Sequence, residues 1–200
     1  MTSTQYRHSA TLDAARRAMI DSQLRTSGVN EPWVLRAMAS VPREEFVPAD
    51  LRDAAYIDRT LPLGNGRMLA TPVAHGMMLA EAAPRETDKA LLVGDGEGYL
   101  AALVRPLVAS LEAREPEAVV AEPGAGEFDL VLVDGAMEQL PDGMAALLAK
   151  DGRLICGVIE RGVSRLARGA RAGDTIAVTA IADAALPRLA AFDRPARWSF

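Results

Sequence analysis

The stretch that decides the fold is Ala90-Leu91-Leu92-Val93-Gly94-Asp95-Gly96-Glu97-Gly98-Tyr99. Its first four residues form an apolar run typical of a buried strand, and Tyr99 to Val104 has the pattern of a helix that Pro106 ends. The glycines in between allow a sharp turn and leave room for a ligand to lie against bare peptide groups. From the spacing alone, a nucleotide-type ligand site and a simple tight turn are equal alternatives.

Strand-like and helix-like patterns alternate on the C-terminal side of this turn. Apolar runs predict strands at Leu107–Leu111, Asp129–Val133 and Arg153–Ile159, and a helix is predicted from about Gln139 to Ala149. Such alternation is typical of a mainly parallel sheet with helices on both faces. The predicted fold class is therefore α/β, with a Rossmann-like sheet.

The C-terminal region has a different pattern. Residues Arg161 to Ile181 predict an antiparallel hairpin that turns near Gly169 to Gly173. We expect the tail Ala196 to Phe200 to add an edge to the sheet.

The N-terminal part is predicted to be mostly helical. Apolar residues at helical spacing predict a helix over residues 11–27 that ends at Gly28, followed by a helix with Pro32 in its first turn and Asn30 as its cap. Residues 60–70 read as extended chain that turns at Gly64-Asn65-Gly66.

A third helix completes this region and leads into the sheet. The pair Thr71-Pro72 is a helix-start signature, and the helix is predicted to run to about Ala83. Because the chain has no repeat and no low-complexity linker, we predict a single domain over residues 1–200. Residues 1–85 form its N-terminal helical elaboration, and residues 86–200 form the Rossmann-like core.

Composition narrows the class of protein. A hydrophobic content of 50% with 24% charged residues supplies a proper core, whereas a net charge of −5 argues against a protein that neutralises nucleic-acid phosphates. No apolar stretch approaches the ~20 residues of a membrane helix. Cys156 is the only cysteine, which excludes an internal disulfide and, with only two histidines, a structural zinc site. We therefore expect a cytoplasmic protein with neither nucleic acid nor membrane as partner.

Two carboxylates follow predicted strands at the sheet edge where ligands of open α/β sheets bind. Glu112 ends the second strand and could accept both ribose hydroxyls of a nucleoside, or it begins a solvated charge run. Asp134 ends the next strand and could orient a polar group, act as a base or cap the Asp-Gly turn. His75 and Cys156 are predicted to be structural.

Ordered N-terminal motifs carry a resemblance to a known family. They are Gln23-Leu24-Arg25-Thr26-Ser27-Gly28-Val29, Val34-Leu35-Arg36-Ala37-Met38, Val41-Pro42-Arg43-Glu44-Glu45-Phe46-Val47-Pro48, Ala55-Tyr56 and Leu61-Pro62-Leu63-Gly64. Together with the glycine turn and Val133-Asp134-Gly135, this pattern resembles the protein-L-isoaspartate O-methyltransferase family. It spans most of residues 19–160.

The resemblance implies a class I methyltransferase fold and S-adenosylmethionine as methyl donor. The acceptor it implies is the isoaspartyl carboxylate of damaged proteins or peptides. The turn Gly94-Asp95-Gly96-Glu97-Gly98 would then border the methionine part of the donor, and Glu112 its ribose.

Some residues depart from the family pattern at the reaction centre. The family's Thr-Ile-Ser-x-Pro loop aligns with Met68-Leu69-Ala70-Thr71-Pro72, so Ala70 stands where a serine hydroxyl is expected. Thr71 could substitute from one position along, although a helix N-cap side chain is engaged with backbone amides. Asp95 and Glu97 replace small hydroxyl residues and bring negative charge to a site for a carboxylate substrate.

A second departure is one of length. Only fifteen residues separate Glu112 from Phe128, whereas a helix, a strand and two connections need more than ~20. We therefore predict that one sheet strand is missing, together with the turn that walls the donor's adenine in the family. This predicts an impaired methyltransferase with weak or absent donor binding; the alternative is a non-catalytic binding or assembly module.

The missing strand has a consequence for the sheet edge. The apolar run Leu107–Leu111 would become the border, and unpaired apolar edges invite pairing. We expect either a cover formed by residues 113–127 or a two-fold homodimer joined at this strand.

Overall fold

The N-terminal region is helical, as expected, with different boundaries. The computed structural model describes the backbone of residues 3–195 and the side chains of residues 10–195. Helix α1 spans Ser3–Met19 and continues through a π-helical turn and a 3-10 turn to Gly28, whose φ of 89° ends it. Helix α2 spans Pro32–Ser40, and the residue that precedes it is Glu31 rather than the predicted cap Asn30.

A small hairpin and a third helix lead to the sheet. Strands β1 (Leu61–Gly64) and β2 (Arg67–Leu69) pair antiparallel, which confirms the turn predicted at Gly64-Asn65-Gly66. Helix α3 spans Pro72–Ala82, and the Thr71 hydroxyl accepts a hydrogen bond from the Ala74 amide at 3.1 Å. The predicted helix start at Thr71-Pro72 is therefore confirmed.

The main sheet has six strands in the order β4-β3-β5-β6-β7-β8. The pairs from β4 to β6 are parallel, and β6, β7 and β8 pair antiparallel. This confirms the α/β fold with a mainly parallel sheet and a C-terminal antiparallel hairpin. In chain order its elements are β3 Lys89–Val93, α4 Tyr99–Val104, β4 Ser110–Arg114, α5 Pro116–Ala121, β5 Phe128–Met137, β6 Leu148–Glu160, β7 Val163–Ala172 and β8 Thr175–Asp183.

Two predicted elements are wrong. The strand predicted at Leu107–Leu111 lies at Ser110–Arg114, because the chain after α4 first makes a 3-10 turn at Arg105–Leu107. The helix predicted from Gln139 to Ala149 is a single 3-10 turn at Met144–Leu147. Gly143, at a φ of 80°, turns the chain there, and the apolar residues that follow enter the core under the sheet. The predicted edge strand at 196–200 lies outside the described residues.

The prediction that one strand is missing is confirmed. Strand β4 is the edge strand of the sheet, and residues 115–127, which would have to supply a strand outside it, form only the short helix α5. The predicted apolar edge is wrong. The strand that lies there carries Glu112 and Arg114, whose side chains are 2.7 Å apart, so charge blunts the edge. The homodimer stays a prediction.

Alternate residues of the central strands face two separate cores. Leu92 and Leu132 pack against the N-terminal helices and α4, whereas Leu91 and Val133 pack with α5 and the loop segments of the other face. The N-terminal region thus packs against the sheet, while the assignment of residues 1–200 to a single domain stays a prediction. No helix of the described chain is long and apolar enough to cross a membrane.

Arg153 connects the end of α3 to the sheet. Its guanidinium donates to the carbonyls of Ala82 and Ala83 at 2.5 and 2.9 Å, and it pairs with the buried carboxylate of Asp88 at 2.6 Å. Removing one partner of a buried ion pair leaves the other charge uncompensated.

We predict that Arg153→Ala lowers the free energy of unfolding by about 3 kcal/mol, because Asp88 is left buried without its partner. The matched control is Arg25→Ala, which removes the exposed pair with Asp21 and should cost less than about 1 kcal/mol. Urea unfolding of both variants checks this. Equal losses would contradict the role given to Arg153.

Candidate active site

A cleft of about 580 Å³ opens at the carboxyl ends of β3 and β5. The β1–β2 hairpin borders one side, and the segment 187–191 borders another. The glycine turn and Asp134 lie in its wall. The cleft therefore lies at the edge where open α/β sheets bind their ligands.

The glycine turn joins β3 to α4 as predicted. Gly94 has a φ of 151°, a backbone conformation that residues with a Cβ rarely adopt, and its amide donates to the Arg114 carbonyl at 2.9 Å. A Cβ added at Gly94 would lie 3.1 Å from the Cβ of Asp134, and one at Gly96 would lie 2.8 Å from the Cβ of Ala113. A side chain at Gly94 would therefore press on Asp134 in the cleft wall, and one at Gly96 would press on β4 outside the cleft lining.

The two acids of the turn have different surroundings. The Asp95 carboxylate accepts a hydrogen bond from the Glu97 amide at 3.0 Å and pairs with the guanidinium of Arg67 on β2. Glu97 is almost fully exposed and lies 4.0 Å from Arg105, whose guanidinium donates to the Gly96 carbonyl at 2.7 Å. Arg67 therefore offsets the charge of Asp95 and links the hairpin to the turn.

A buried chain of polar side chains ends at Asp134. Arg43 is fully buried and donates from Nη1 to Nδ1 of His75 at 3.1 Å, and Nε2 of His75 lies 3.0 Å from Oδ1 of Asp134. Arginine has no acceptor, so Nδ1 of His75 must accept. The ring proton consequently lies on Nε2 and is donated to Asp134.

The other two guanidinium nitrogens of Arg43 donate hydrogen bonds to backbone carbonyls. Nε donates to the Ala55 carbonyl at 2.8 Å, and Nη2 donates to the Ala70 carbonyl. The guanidinium lies 4.9 Å from the centre of the Tyr99 ring, a distance suited to a cation–π contact. Burial lowers the pKa of Arg43 to about 10, so it stays charged at neutral pH.

The loop before α3 offers no free hydroxyl to the cleft. Ala70 is buried, and the Thr71 hydroxyl is buried where it caps α3. Neither residue lies among those that line the cleft. The predicted substitution of Thr71 for the missing serine is therefore not supported by its position.

The ribose acid expected at Glu112 stays a prediction. The strand ends at Arg114 rather than at Leu111, so Glu112 lies within β4 and not after it. Glu112 is not among the residues that line the cleft, whereas Glu115 and Glu117 are.

Sequence reasoning missed Arg43 as a site residue and treated His75 as structural. The only available signal was that Arg43 lies in the motif that carries the family resemblance. Cys156 is buried in β6, and burial raises the pKa of its thiol to about 12, in agreement with an inert role.

The mainly parallel sheet, with a glycine turn at the edge where open α/β sheets bind their ligands, defines a Rossmann-like α/β protein. The family model for protein-L-isoaspartate(D-aspartate) O-methyltransferase matches residues 14–114. Relatives named protein-L-isoaspartate O-methyltransferase include one from Roseiflexus castenholzii, 34% identical over 84% of this chain and 88% of its own length. Another, from Methylorubrum populi, is 34% identical over 80% of this chain and 87% of its own length. The chain belongs to this family.

Solved structures agree with the fold. A Plasmodium falciparum protein assigned to the same activity, crystallised with S-adenosyl-L-homocysteine, superposes with a TM-score of 0.69 at 18% identity, over 87% of this chain and 97% of its own. A second structure, of a protein-L-isoaspartate O-methyltransferase, gives a TM-score of 0.68 at 15% identity, over 87% of this chain and 65% of its own.

We predict that Arg43→Met lowers the free energy of unfolding by about 3 kcal/mol, because two buried carbonyls and a ring nitrogen lose their donor. Arg36→Met, on the exposed face of α2, is the matched control and should change it by less than about 0.5 kcal/mol. Thermal and urea unfolding check both. A loss at Arg43 no larger than at Arg36 would show that the buried contacts do not stabilise the fold.

Proposed function

We propose that this chain is a protein-L-isoaspartate O-methyltransferase that takes S-adenosylmethionine as donor, binds it weakly and turns over slowly. The donor supplies a methyl group bound to a sulfonium sulfur. Transfer to an isoaspartyl carboxylate breaks that S–C bond and forms an O–C bond. The products are S-adenosylhomocysteine and the methyl ester of the isoaspartyl residue. The acceptor is an isoaspartyl site in a damaged protein or peptide.

The cleft supports a donor site at its glycine end. Gly94, Gly96 and Gly98 would border the methionine part, and the close approaches at Gly94 and Gly96 leave room there only for a backbone without side chains. Asp95 and Glu97 would lie beside the same part of the donor. Asp134 lies beside Gly94 of this turn and is our candidate for contact with the donor.

The observation that carries the proposal of slow turnover is the loop at Ala70-Thr71. A serine hydroxyl is absent at position 70, and the Thr71 hydroxyl, which accepts the Ala74 amide proton, is buried outside the cleft lining. A fixed donor aimed at developing charge is commonly one of the largest contributions to rate. Its loss lowers turnover without unfolding the protein.

The edge position of β4 supports weak donor binding. Losing ~100 to 150 Å² of adenine contact at ~25 cal/mol per Å² removes ~2.5 to 4 kcal/mol. That corresponds to about a 60- to 800-fold loss of affinity.

The proposal also covers localisation, domain division and oligomeric state. We place the protein in the cytoplasm as a single domain, and a homodimer remains open to test by sedimentation. A non-catalytic binding or assembly module is the second candidate function, and the burial of the Thr71 hydroxyl outside the cleft lining is the observation that favours it.

The donor dissociation constant should exceed that of a family relative with a complete adenine wall by about 60- to 800-fold. Isothermal titration calorimetry of both proteins with S-adenosylmethionine, under one set of conditions, measures the ratio. A ratio below about tenfold would contradict the claim that the missing strand weakens donor binding. Total absence of binding would instead favour the non-catalytic module.

We predict that Ala70→Ser increases the rate of methylation of an isoaspartyl peptide about tenfold or more, because it restores a hydroxyl at the expected position. Ala82→Ser, the same exchange at the other end of α3, is the matched control and should have no effect. The assay follows transfer of a radiolabelled methyl group. An unchanged rate in a folded Ala70→Ser variant, with donor bound, would contradict the assignment of slow turnover to position 70.

A further inference from the structure

The carboxylate of Asp134 is held from one side only. Oδ1 accepts the proton of His75 Nε2, and among the described residues Oδ2 has no hydrogen-bond partner. The side chain is about one-sixth exposed, at the cleft wall beside Gly94. One oxygen is thus fixed by the buried chain, which leaves the other for a ligand.

His75 cannot reverse its role while Arg43 is in place. A ring with its proton on Nδ1 would point that proton at the guanidinium and leave Nε2 as an acceptor facing a carboxylate. The buried contacts therefore select one tautomer and with it one orientation of Asp134. His75 and Arg43 act as positioning residues for a group that faces the cleft.

The charges around the cleft select what can approach Asp134. Among the residues whose side chains the structure describes, two arginines and no lysine line the cleft. Arg67 is paired with Asp95, and Arg188 is paired with Asp193 at 2.7 Å and with Glu138 at 3.0 Å. The acidic side chains of the lining are Glu45, Asp95, Glu97, Glu115, Glu117 and Asp134. A second carboxylate placed against Asp134 would meet no unpaired cation, whereas an ammonium group would be attracted.

We infer that the Arg43–His75–Asp134 chain forms a subsite for a primary ammonium group and excludes a carboxylate from that position. The inference rests on the proposed function for the identity of the ligand, because the methionine part of S-adenosylmethionine carries such an ammonium. Its carboxylate, and that of the acceptor, must then lie elsewhere in the cleft.

A chemical double-mutant cycle tests the subsite. The ligands are S-adenosylhomocysteine and its deamino analogue, which differ only in the amino group, and the proteins are the wild type and Asp134→Asn. We expect removal of the amino group to raise the dissociation constant at least tenfold in the wild type and less than about threefold in Asp134→Asn. Chemical-shift titration by NMR measures dissociation constants into the millimolar range.

The positioning role is tested by two substitutions of His75. His75→Met removes the donor to Asp134, and the effect of the amino group should fall below about threefold although Asp134 is still present. His75→Gln supplies an amide N–H at a similar reach and should recover most of the tenfold effect. A merely structural role would lower the unfolding temperature of both variants without this recovery. Should His75→Met not fold, the comparison of His75→Gln with Asp134→Asn still applies.

The outcomes separate this inference from the proposed function. If S-adenosylhomocysteine binds the wild type and the amino group contributes the same factor in wild type and Asp134→Asn, the ammonium subsite is wrong and the donor site stands. If the wild type binds neither ligand at millimolar concentration, the proposed donor site fails and the subsite fails with it.

Discussion

The structure depends on one buried guanidinium. Arg43 joins three parts of the N-terminal region, through the carbonyls of Ala55 and Ala70 and through the ring of His75. A charge buried this deeply is costly unless its donors find acceptors, and here each of the three guanidinium nitrogens donates a hydrogen bond. The arrangement of the short turns, the hairpin and α3 therefore depends on the hydrogen bonds of a single side chain.

This coupling reaches the cleft because α3 carries His75 on the side that faces β5. The His75 ring connects the guanidinium of Arg43, which has no access to solvent, with the Asp134 carboxylate in the cleft wall. The same helix begins at Thr71, whose hydroxyl is used as its cap. Helix α3 thus positions the Asp134 carboxylate of β5 through His75, but its N-terminal end supplies no free hydroxyl to the cleft. For these two reasons we propose binding of a cationic group together with slow transfer.

Local chemistry made the central part of the fold predictable. A buried apolar run, a glycine turn and a helix start each depend on residues adjacent in sequence, and all three occur at residues 89–104 as expected. The missing strand was likewise predictable, since it follows from chain length alone. The position of β4 was not, because apolar residues at 107–111 suit a turn packed on the core as well as a strand.

The candidate site was less predictable for a different reason. The contacts of Arg43 join residues 12, 27 and 32 positions apart, so no local pattern shows them. The cleft acids Glu115 and Glu117 were missed because a three-residue error in the strand moves the sheet edge along the chain. Asp134 was found because it follows a strand whose C-terminal end is at the ligand edge.

The protonation state of the His75 ring tests the account most directly. The chain has two histidines, so His8→Asn leaves the ring resonances of His75 alone in a two-dimensional ¹H–¹⁵N spectrum that correlates ring protons with both nitrogens. The account predicts, at neutral pH, a protonated Nε2 and a bare Nδ1, with the Nε2–H signal altered by Asp134→Asn. A proton on Nδ1, or an Nε2 signal that does not respond to Asp134→Asn, would contradict it.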